Sequence, residues 1–332
     1  MSGPRGFSII IPVKEINAFV VEALPKILAL KGYPFEVLVV PNEHPPFELS
    51  KSFEDPRVKV IASGRVSPAV KRDLAADQSS YCWLAFLDDD AYPREDWLQV
   101  AGRYLEQPNI HGVGGPGVTP PDNSVFQQAS GLFFETLLGG GGMAYRYRPG
   151  RKTDFFVDDY PTVNLVVDKA AFQDIGGFDN RFWPGEDTKF CLDFVTRGYR
   201  IIYSRDLVVW HHRRAVLGGH LRQVGNYGKH RGYFAKRFPK TSARLVYFIP
   251  SLFFLGNILL LTLGLFSGPA LALWVGMMAL YWGIACFDVG YRTRNPALFA
   301  LTVVTIFISH LFYGMMFLKG LLFTRSLESQ LR

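Results

Sequence analysis

From Leu245 to Phe287 the chain carries no charged side chain, and a second such run extends from Ala297 to Leu318. A bilayer core takes about 20 apolar residues per helix. In lipid, backbone polar groups must be bonded within the segment, so such runs fold as helices. The first run reads as two spans, Leu245–Phe266 and Pro269–Phe287, hinged at Ser267-Gly268-Pro269, and the second reads as one. Three spans put the C-terminus on the far side of the membrane, unless the last segment is re-entrant or interfacial. The 48% hydrophobic content of the 332 residues fits such a region better than a purely soluble core. Met1 to Val13 holds one Arg and only a short apolar run, which is not the pattern of a secretory signal. The three cysteines, Cys82, Cys191 and Cys286, are scattered, and they suggest neither a disulfide framework nor a zinc site. The polar part is therefore expected to be cytoplasmic. Arg292 and Arg294, between the second and third spans, agree with that orientation.

The polar part centres on Trp83-Leu-Ala-Phe-Leu-Asp-Asp-Asp-Ala-Tyr-Pro93. Trp83 to Leu87 reads as a buried strand that ends in Asp88, Asp89 and Asp90. Tyr92-Pro93 is expected to turn the chain into a helix that begins near Glu95. Ligands of open α/β sheets bind at the carboxyl ends of strands. Three acids there repel one another unless a cation offsets them. Oxygen ligands suit Mg²⁺ or Mn²⁺, which commonly also hold phosphates. A solvated acidic turn is the plain alternative.

Further strands are expected at Phe7–Val13, Phe35–Val40, Val58–Ile61, Asn164–Asp168, Arg200–Tyr203 and Leu207–Trp210. Helices are expected after Asn17, after Ser67-Pro68, and from Glu186 to about Arg197. Strands alternating with helices give an α/β, mostly parallel, doubly wound sheet. No Gly-x-Gly-x-x-Gly or Walker loop follows the first strand, which disfavours dinucleotide oxidoreductases and P-loop enzymes. Gly112-Val-Gly-Gly-Pro-Gly117 and Gly139–Gly142 read as turns.

Several stretches together resemble family-2 glycosyltransferases of the GT-A fold, the membrane-anchored bacterial kind of exopolysaccharide and O-antigen assembly. They are Ser8–Val13, Ala69-Val-Lys-Arg-Asp-Leu-Ala75, Leu87–Pro93, Gly176-Gly-Phe-Asp179, Gly185-Glu-Asp187 and Val208-Val-Trp-His-His-Arg213. The resemblance covers about residues 7–214 and includes the gap of 97 positions between Asp90 and Asp187. It implies a domain order of 1–214 catalytic, 215–244 interfacial, 245–323 transmembrane and 324–332 tail. It also implies roles. Pro12, Val13 and Glu15 would contact the base and ribose of a nucleotide-sugar donor, and Asp88 would lie near the ribose with Asp89 in support. Asp90, with Asp88 and His211, would hold Mn²⁺ or Mg²⁺ over the diphosphate. Lys71 and Arg72 would pair with phosphate; a solvated helix face is their alternative. Asp187 would be the general base, since a sugar hydroxyl needs a carboxylate to take its proton, and Glu186 would help position it. Acids in a first helical turn also favour the helix dipole without catalysis. Many relatives carry an aspartate after the second strand, whereas this chain has Val40-Pro-Asn42-Glu43, so Asn42 would meet the base edge.

From Arg213 to Arg244 there are nine Lys or Arg and no acid. Leu217, Leu221, Val224, Tyr227, Phe234 and Phe238 fall on one face of a helical wheel, giving a basic amphipathic segment expected on anionic membrane lipid. Glycines at 218, 219, 225, 228 and 232 predict a broken helix. Trp183, Arg222, Gln223, Tyr227 and Arg231 are the candidates for the acceptor and membrane side. Nucleic acid would also attract this charge, but the charge-free helices beside it point to a membrane. The function implied is an inverting, metal-dependent transfer from a nucleotide-sugar to a hydroxyl of a lipid-linked glycan. Transfer to polyprenyl phosphate is the alternative, though the Gln-His-Pro of such relatives is absent after the acidic motif. A non-catalytic membrane scaffold with a degenerate transferase domain is the alternative of another class.

Overall fold

The computed structural model describes residues 3–44, 53–150 and 153–327. The expected tail 324–332 lies outside the described residues from 328 onward. Contacts divide the chain into two compact units, one of residues 3–118 and 148–211 and one of residues 119–147 and 212–327. The segment 119–147 thus groups with the helices, although it falls inside the expected catalytic range.

The strands are β1 Phe7–Pro12, β2 Phe35–Val40, β3 Val58–Val60, β4 Trp83–Leu87, β5 Ala91–Pro93, β6 Gly112–Gly114, β7 Gly117–Val118, β8 Phe155–Val157, β9 Asn164–Asp168, β10 Ile201–Tyr203 and β11 Val209–His211. The helices are α1 Ala18–Leu28, α2 Pro68–Asp77, α3 Trp97–Leu105, α4 Val125–Glu135, α5 Lys169–Asp174, α6 Glu186–Thr196, α7 Gly218–Arg237, α8 Pro239–Ser242, α9 Leu245–Gly264, α10 Gly268–Arg292 and α11 Pro296–Leu318.

The first unit is built on an eight-stranded sheet of order β3-β2-β1-β4-β9-β6-β10-β8. β1 runs parallel to both β2 and β4. All three are buried along their whole length, which is why each reads as a continuous apolar run. β9 lies antiparallel between β4 and β6, so the sheet is mixed beyond β4. A second sheet has the order β5-β11-β7. Helices start where the sequence marks them: Asn17 accepts from Val20 N at 3.0 Å, and Ser67 precedes the Pro68 that opens α2.

Two expectations are corrected. Tyr92-Pro93 is strand β5, because Ala91, Tyr92 and Pro93 pair with His211, Trp210 and Val209. Gly112-Val-Gly is strand β6 in the main sheet. Its glycines mark close packing: a Cβ on Gly114 would stand 2.4 Å from the Tyr160 ring, and one on Gly115 would stand 1.9 Å from the Leu207 carbonyl oxygen.

The second unit packs Phe133 and Phe134 of α4 against Val224 of α7 and against Met278, Tyr281, Val289, Val303 and Ile306 of α10 and α11. His220 is fully buried, with Nδ1 2.8 Å from Ser130 Oγ and Nε2 3.0 Å from Ser309 Oγ. α7 is a single twenty-residue helix, so the broken helix is corrected. Gly225, Gly228 and Gly232 face α11, where Cβ atoms would meet the Phe312 ring at 2.4 Å, Tyr313 O at 2.7 Å and Phe317 O at 2.0 Å. Direct backbone packing recovers what glycine loses in propensity. Three helices, Leu245–Gly264, Gly268–Arg292 and Pro296–Phe323, are long and apolar enough to cross a membrane.

Asp73 of α2 accepts from Phe178 N at 3.0 Å and so fixes the turn that leads to α6. Burial pushes its carboxyl up to about 7, from an unfolded value of 3.8. Between those two values the folded state holds a proton that the unfolded state has lost, so this group's contribution to stability falls as pH rises through the window. Asn at this position keeps the acceptor and removes the charge. In detergent-purified full-length protein, Asp73→Asn is expected to raise Tm over wild type by more at pH 8 than at pH 5, and an equal shift at both values would refute the assignment. Gly115→Ala is expected to lower stability by about 1–3 kcal/mol through overpacking, seen as a drop in Tm.

Candidate active site

β4 lies between β1 and β9 and delivers Asp88, Asp89 and Asp90 to the carboxyl end of the sheet. The second sheet brings a histidine to meet them. β11 pairs antiparallel with β5, in a register that sets His211 opposite Ala91, the residue after Asp90. His211 Nε2 is 3.1 Å from Asp90 Oδ1. One ligand atom from each of Asp88, Asp90 and His211 lies within 4.8 Å of the others. Two carboxylates and an imidazole in such a cluster suit a divalent cation. The neighbouring His212 turns away, its Nδ1 2.9 Å from Asn123 Oδ1.

Asp89 plays a different part. Its Oδ2 accepts from Asn17 Nδ2 at 2.6 Å. Burial, then the charges of Asp90 and Asp88, push its carboxyl up to about 6. This is the unfavourable concentration of negative charge that a bound cation offsets. Sequence reasoning read Asn17 only as the residue before a helix, and the 72 positions between it and Asp89 hid the contact.

Arg72 is 4% exposed and is not part of a solvated helix face. Its Nη2 donates to Asp88 Oδ1 at 3.0 Å and its Nη1 to Glu186 Oε1 at 2.9 Å. One guanidinium therefore ties the acidic turn after β4 to the first turn of α6. Glu186 is 7% exposed, and its other oxygen accepts from Gly185 N at 3.1 Å. Gly185 takes φ 122°, a backbone region that favours glycine. Asp187 is half-buried on the next position, and its Oδ1 accepts from Thr188 N at 2.7 Å. The same first turn thus carries one buried and one half-buried carboxylate. Trp183 is half-buried in the turn before α6.

Lys71, 3% exposed, reaches the other way. Its Nζ donates to Val13 O and to Asn42 Oδ1, both at 2.6 Å. It clamps the ends of β1 and β2, where Pro12, Val13 and Asn42 stand together, and burial lowers its pKa to about 8. Lys71 and Arg72 are thus engaged by protein oxygens. Glu15 is exposed, 3.4 Å from Lys14.

The remaining candidates belong to the second unit. Arg222 is exposed on α7. Gln223 Nε2 donates to the Tyr227 hydroxyl at 3.1 Å. Arg231 Nη1 donates to Ser242 Oγ at 3.3 Å, and its guanidinium lies 4.8 Å from the Tyr247 ring centroid.

Known proteins resemble this chain in sequence and fold. The pre-mycofactocin glycosyltransferase of Mycobacterium tuberculosis is 27% identical over 183 residues, or 54% of this chain and 37% of that protein. The chain thus spans well under half of that relative's length. A Methanococcus voltae enzyme, dolichyl N-acetyl-alpha-D-glucosaminyl phosphate 3-beta-D-2,3-diacetamido-2,3-dideoxy-beta-D-glucuronosyltransferase, is 21% identical over 280 residues, 83% of this chain and 82% of that protein. The fold matches that of the Pyrobaculum calidifontis mannosyltransferase solved with GDP-Man and Mn²⁺, with a TM-score of 0.61 at 18% identity, covering 97% of this chain and 88% of that one. The family model described as glycosyl transferase family group 2 matches residues 83–286, from the acidic strand to the second apolar helix. The chain belongs to that family.

Proposed function

We propose that the protein moves a sugar from a nucleotide-sugar to a hydroxyl of a lipid-linked glycan, with inversion, at the cytoplasmic face of the inner membrane. The observation that carries this reading is the Arg72 bridge, which sets the Asp88–Asp90–His211 cluster one guanidinium away from the helix turn that bears Glu186 and Asp187. A transferase of this kind needs a stabilised leaving group and a proton acceptor close together. The Methanococcus relative is named for a lipid-phosphate-linked acceptor, which supports that acceptor class. The mannosyltransferase neighbour was solved with a nucleotide-sugar and Mn²⁺, which supports the donor class and the cation.

Asp88, Asp90 and His211 would hold Mn²⁺ or Mg²⁺, whose chemistry is to offset the charge that grows on the departing diphosphate. Pro12, Val13 and Asn42 form the donor edge, and the Lys71 clamp fixes its shape. Glu15 stands at its exposed margin. Asp89, held by Asn17, shapes the turn from within. Asp187 takes the proton from the attacking hydroxyl as the new glycosidic bond forms and the old anomeric C–O bond breaks. Glu186, fixed by Arg72 and Gly185, orients the turn that presents Asp187. Trp183 flanks that turn on the acceptor side. The cations of α7 meet anionic lipid, and Arg222, Gln223, Tyr227 and Arg231 form the acceptor side of the helical unit.

Detergent-purified protein supplied with a panel of nucleotide-sugars, Mn²⁺ and bacterial lipid extract is expected to release nucleoside diphosphate. Asp187→Asn is expected to lower kcat by about 10²–10⁴-fold while Mn²⁺-dependent nucleotide binding survives. Asp90→Asn is expected to abolish that binding. Release that persists in Asp187→Asn would remove this residue as base and favour a phosphate acceptor. Arg72→Lys keeps the charge but cannot bridge two carboxylates in the same way. It is expected to lose kcat with donor KM nearly unchanged, and a rise in donor KM alone would return Arg72 to phosphate binding.

A further inference from the structure

We propose that the apolar region enters and leaves the bilayer on one face: the α9–α10 hairpin crosses, and α11 lies along the face of entry, packed on the basic helix α7. The inference rests on the membrane reading of the helical unit and is independent of the transferase chemistry.

The contacts of α11, taken in chain order, carry the argument. Phe299 lies against Gly290, near the C-terminal end of α10. Phe307 packs on Trp282 with ring centroids 4.9 Å apart, and His310 Nδ1 is 2.9 Å from the Tyr281 hydroxyl. The partners then change to α9 and run back toward its start. The Phe253 ring is 6.1 Å from His310, Ser251 Oγ donates to Gly314 O at 3.1 Å, and the Phe248 ring is 4.8 Å from Phe317. α11 therefore begins beside the end of α10 and finishes beside the start of α9. These are the two helix ends at the hairpin's open side, and its closed end is where Gly264 meets Leu271. A third crossing helix would finish near that closed end. This one returns to the side it started from.

Charge gives the same answer. α7 and the chain of α11 touch through their backbones at Gly228 and Gly232, and Gly225 meets the Phe312 ring, so they share one depth. α7 carries Arg222, Lys229, Arg231, Lys236 and Arg237. Charges at the bilayer centre are costly, so such a helix stays at the interface. Its end is tied to the chain beyond α11, since Lys236 Nζ donates to Thr324 O at 2.6 Å. At the other end of α11 stand Arg292 and Arg294. A crossing α11 would put these two groups of cations on opposite faces, whereas an in-plane α11 keeps them together.

Burial separates the helices in the same way. The apolar window of α11 is 39% buried inside the protein, against 11% for α9 and 17% for α10. Thr302, Thr305 and Ser309 on α11 are fully buried. The closed end of the hairpin shows Leu265 at 79% and Phe266 at 87% exposure, as side chains facing lipid do.

The test is sidedness in sealed membrane vesicles of the full-length protein, using a membrane-impermeant maleimide. Labelling is read as the gain over the parent chain in Arg294→Cys, Ser326→Cys and Ser267→Cys. Positions 294 and 326 are expected to label from one face, and position 267 from the other, whichever way the vesicles are turned. Ser326→Cys labelling together with Ser267→Cys would overturn the proposal. Tags placed before Met1 and after Arg332 of the parent chain give a second reading that no substitution can disturb. Protease added outside is expected to remove both or spare both, and removal of one alone would overturn the proposal. Neither reading uses activity, so a failure of the transferase assay leaves this result standing.

Discussion

The first unit depends on one buried cation. Arg72 sits almost wholly out of solvent with Asp88 on one side and Glu186 on the other. Removing one partner of a buried pair leaves an uncompensated charge, at a cost of about 3–5 kcal/mol. Either carboxylate alone would leave Arg72 short of acceptors, and the guanidinium fork fixes the direction as well as the distance between them. The bridge joins elements 114 positions apart in sequence. It makes the turn after β4 and the start of α6 one rigid body, on which both halves of a transfer reaction can be mounted.

Around that bridge the charge does not balance. Asp88 and Glu186 share Arg72, while Asp89 is pushed upward by its burial and then by the charges of Asp90 and Asp88. A fold that kept this excess for stability alone would be paying desolvation without return. The imidazole of His211 arrives through the pairing of β5 with β11, a contact of strand on strand that leaves its ring little freedom. An imidazole nitrogen beside two carboxylates makes a ligand set that suits a divalent cation.

Much of this was legible in the chain. Residues 83–90 read directly as a buried strand that ends in acids, because burial on both faces gives an unbroken apolar run. Glu186 and Asp187 were placed on a first helical turn by the Gly185 that precedes them. What stayed hidden was long-range pairing. Lys71 and Arg72 look like solvated or phosphate-binding cations in sequence, yet they are buried against Val13, Asn42, Asp88 and Glu186. Residue type gives charge, and only the fold gives the partner. Gly112 to Gly115 misled for a related reason, since glycine serves both the open turn and the closest packing, and here a tyrosine ring and a carbonyl fill the space of the missing side chain.

The same ambiguity governs α7, with more at stake. Its glycines cost about 1 kcal/mol each relative to alanine, so the helix has little reason to form alone. Three of them lie on the side that meets α11, where any Cβ would collide with a ring or a backbone oxygen. The helix therefore draws its stability from a partner that lies some ninety positions later, and the partner gains a cover for its buried Ser309 through His220. An amphipathic basic helix that adheres to lipid by itself would keep leucine or alanine at those positions and bury its apolar face in the membrane. This one gives Val224, Phe234 and three glycines to protein contact, while Leu217 and Tyr227 of the same face stay exposed. In this chain the basic segment and the last apolar helix are one structural element.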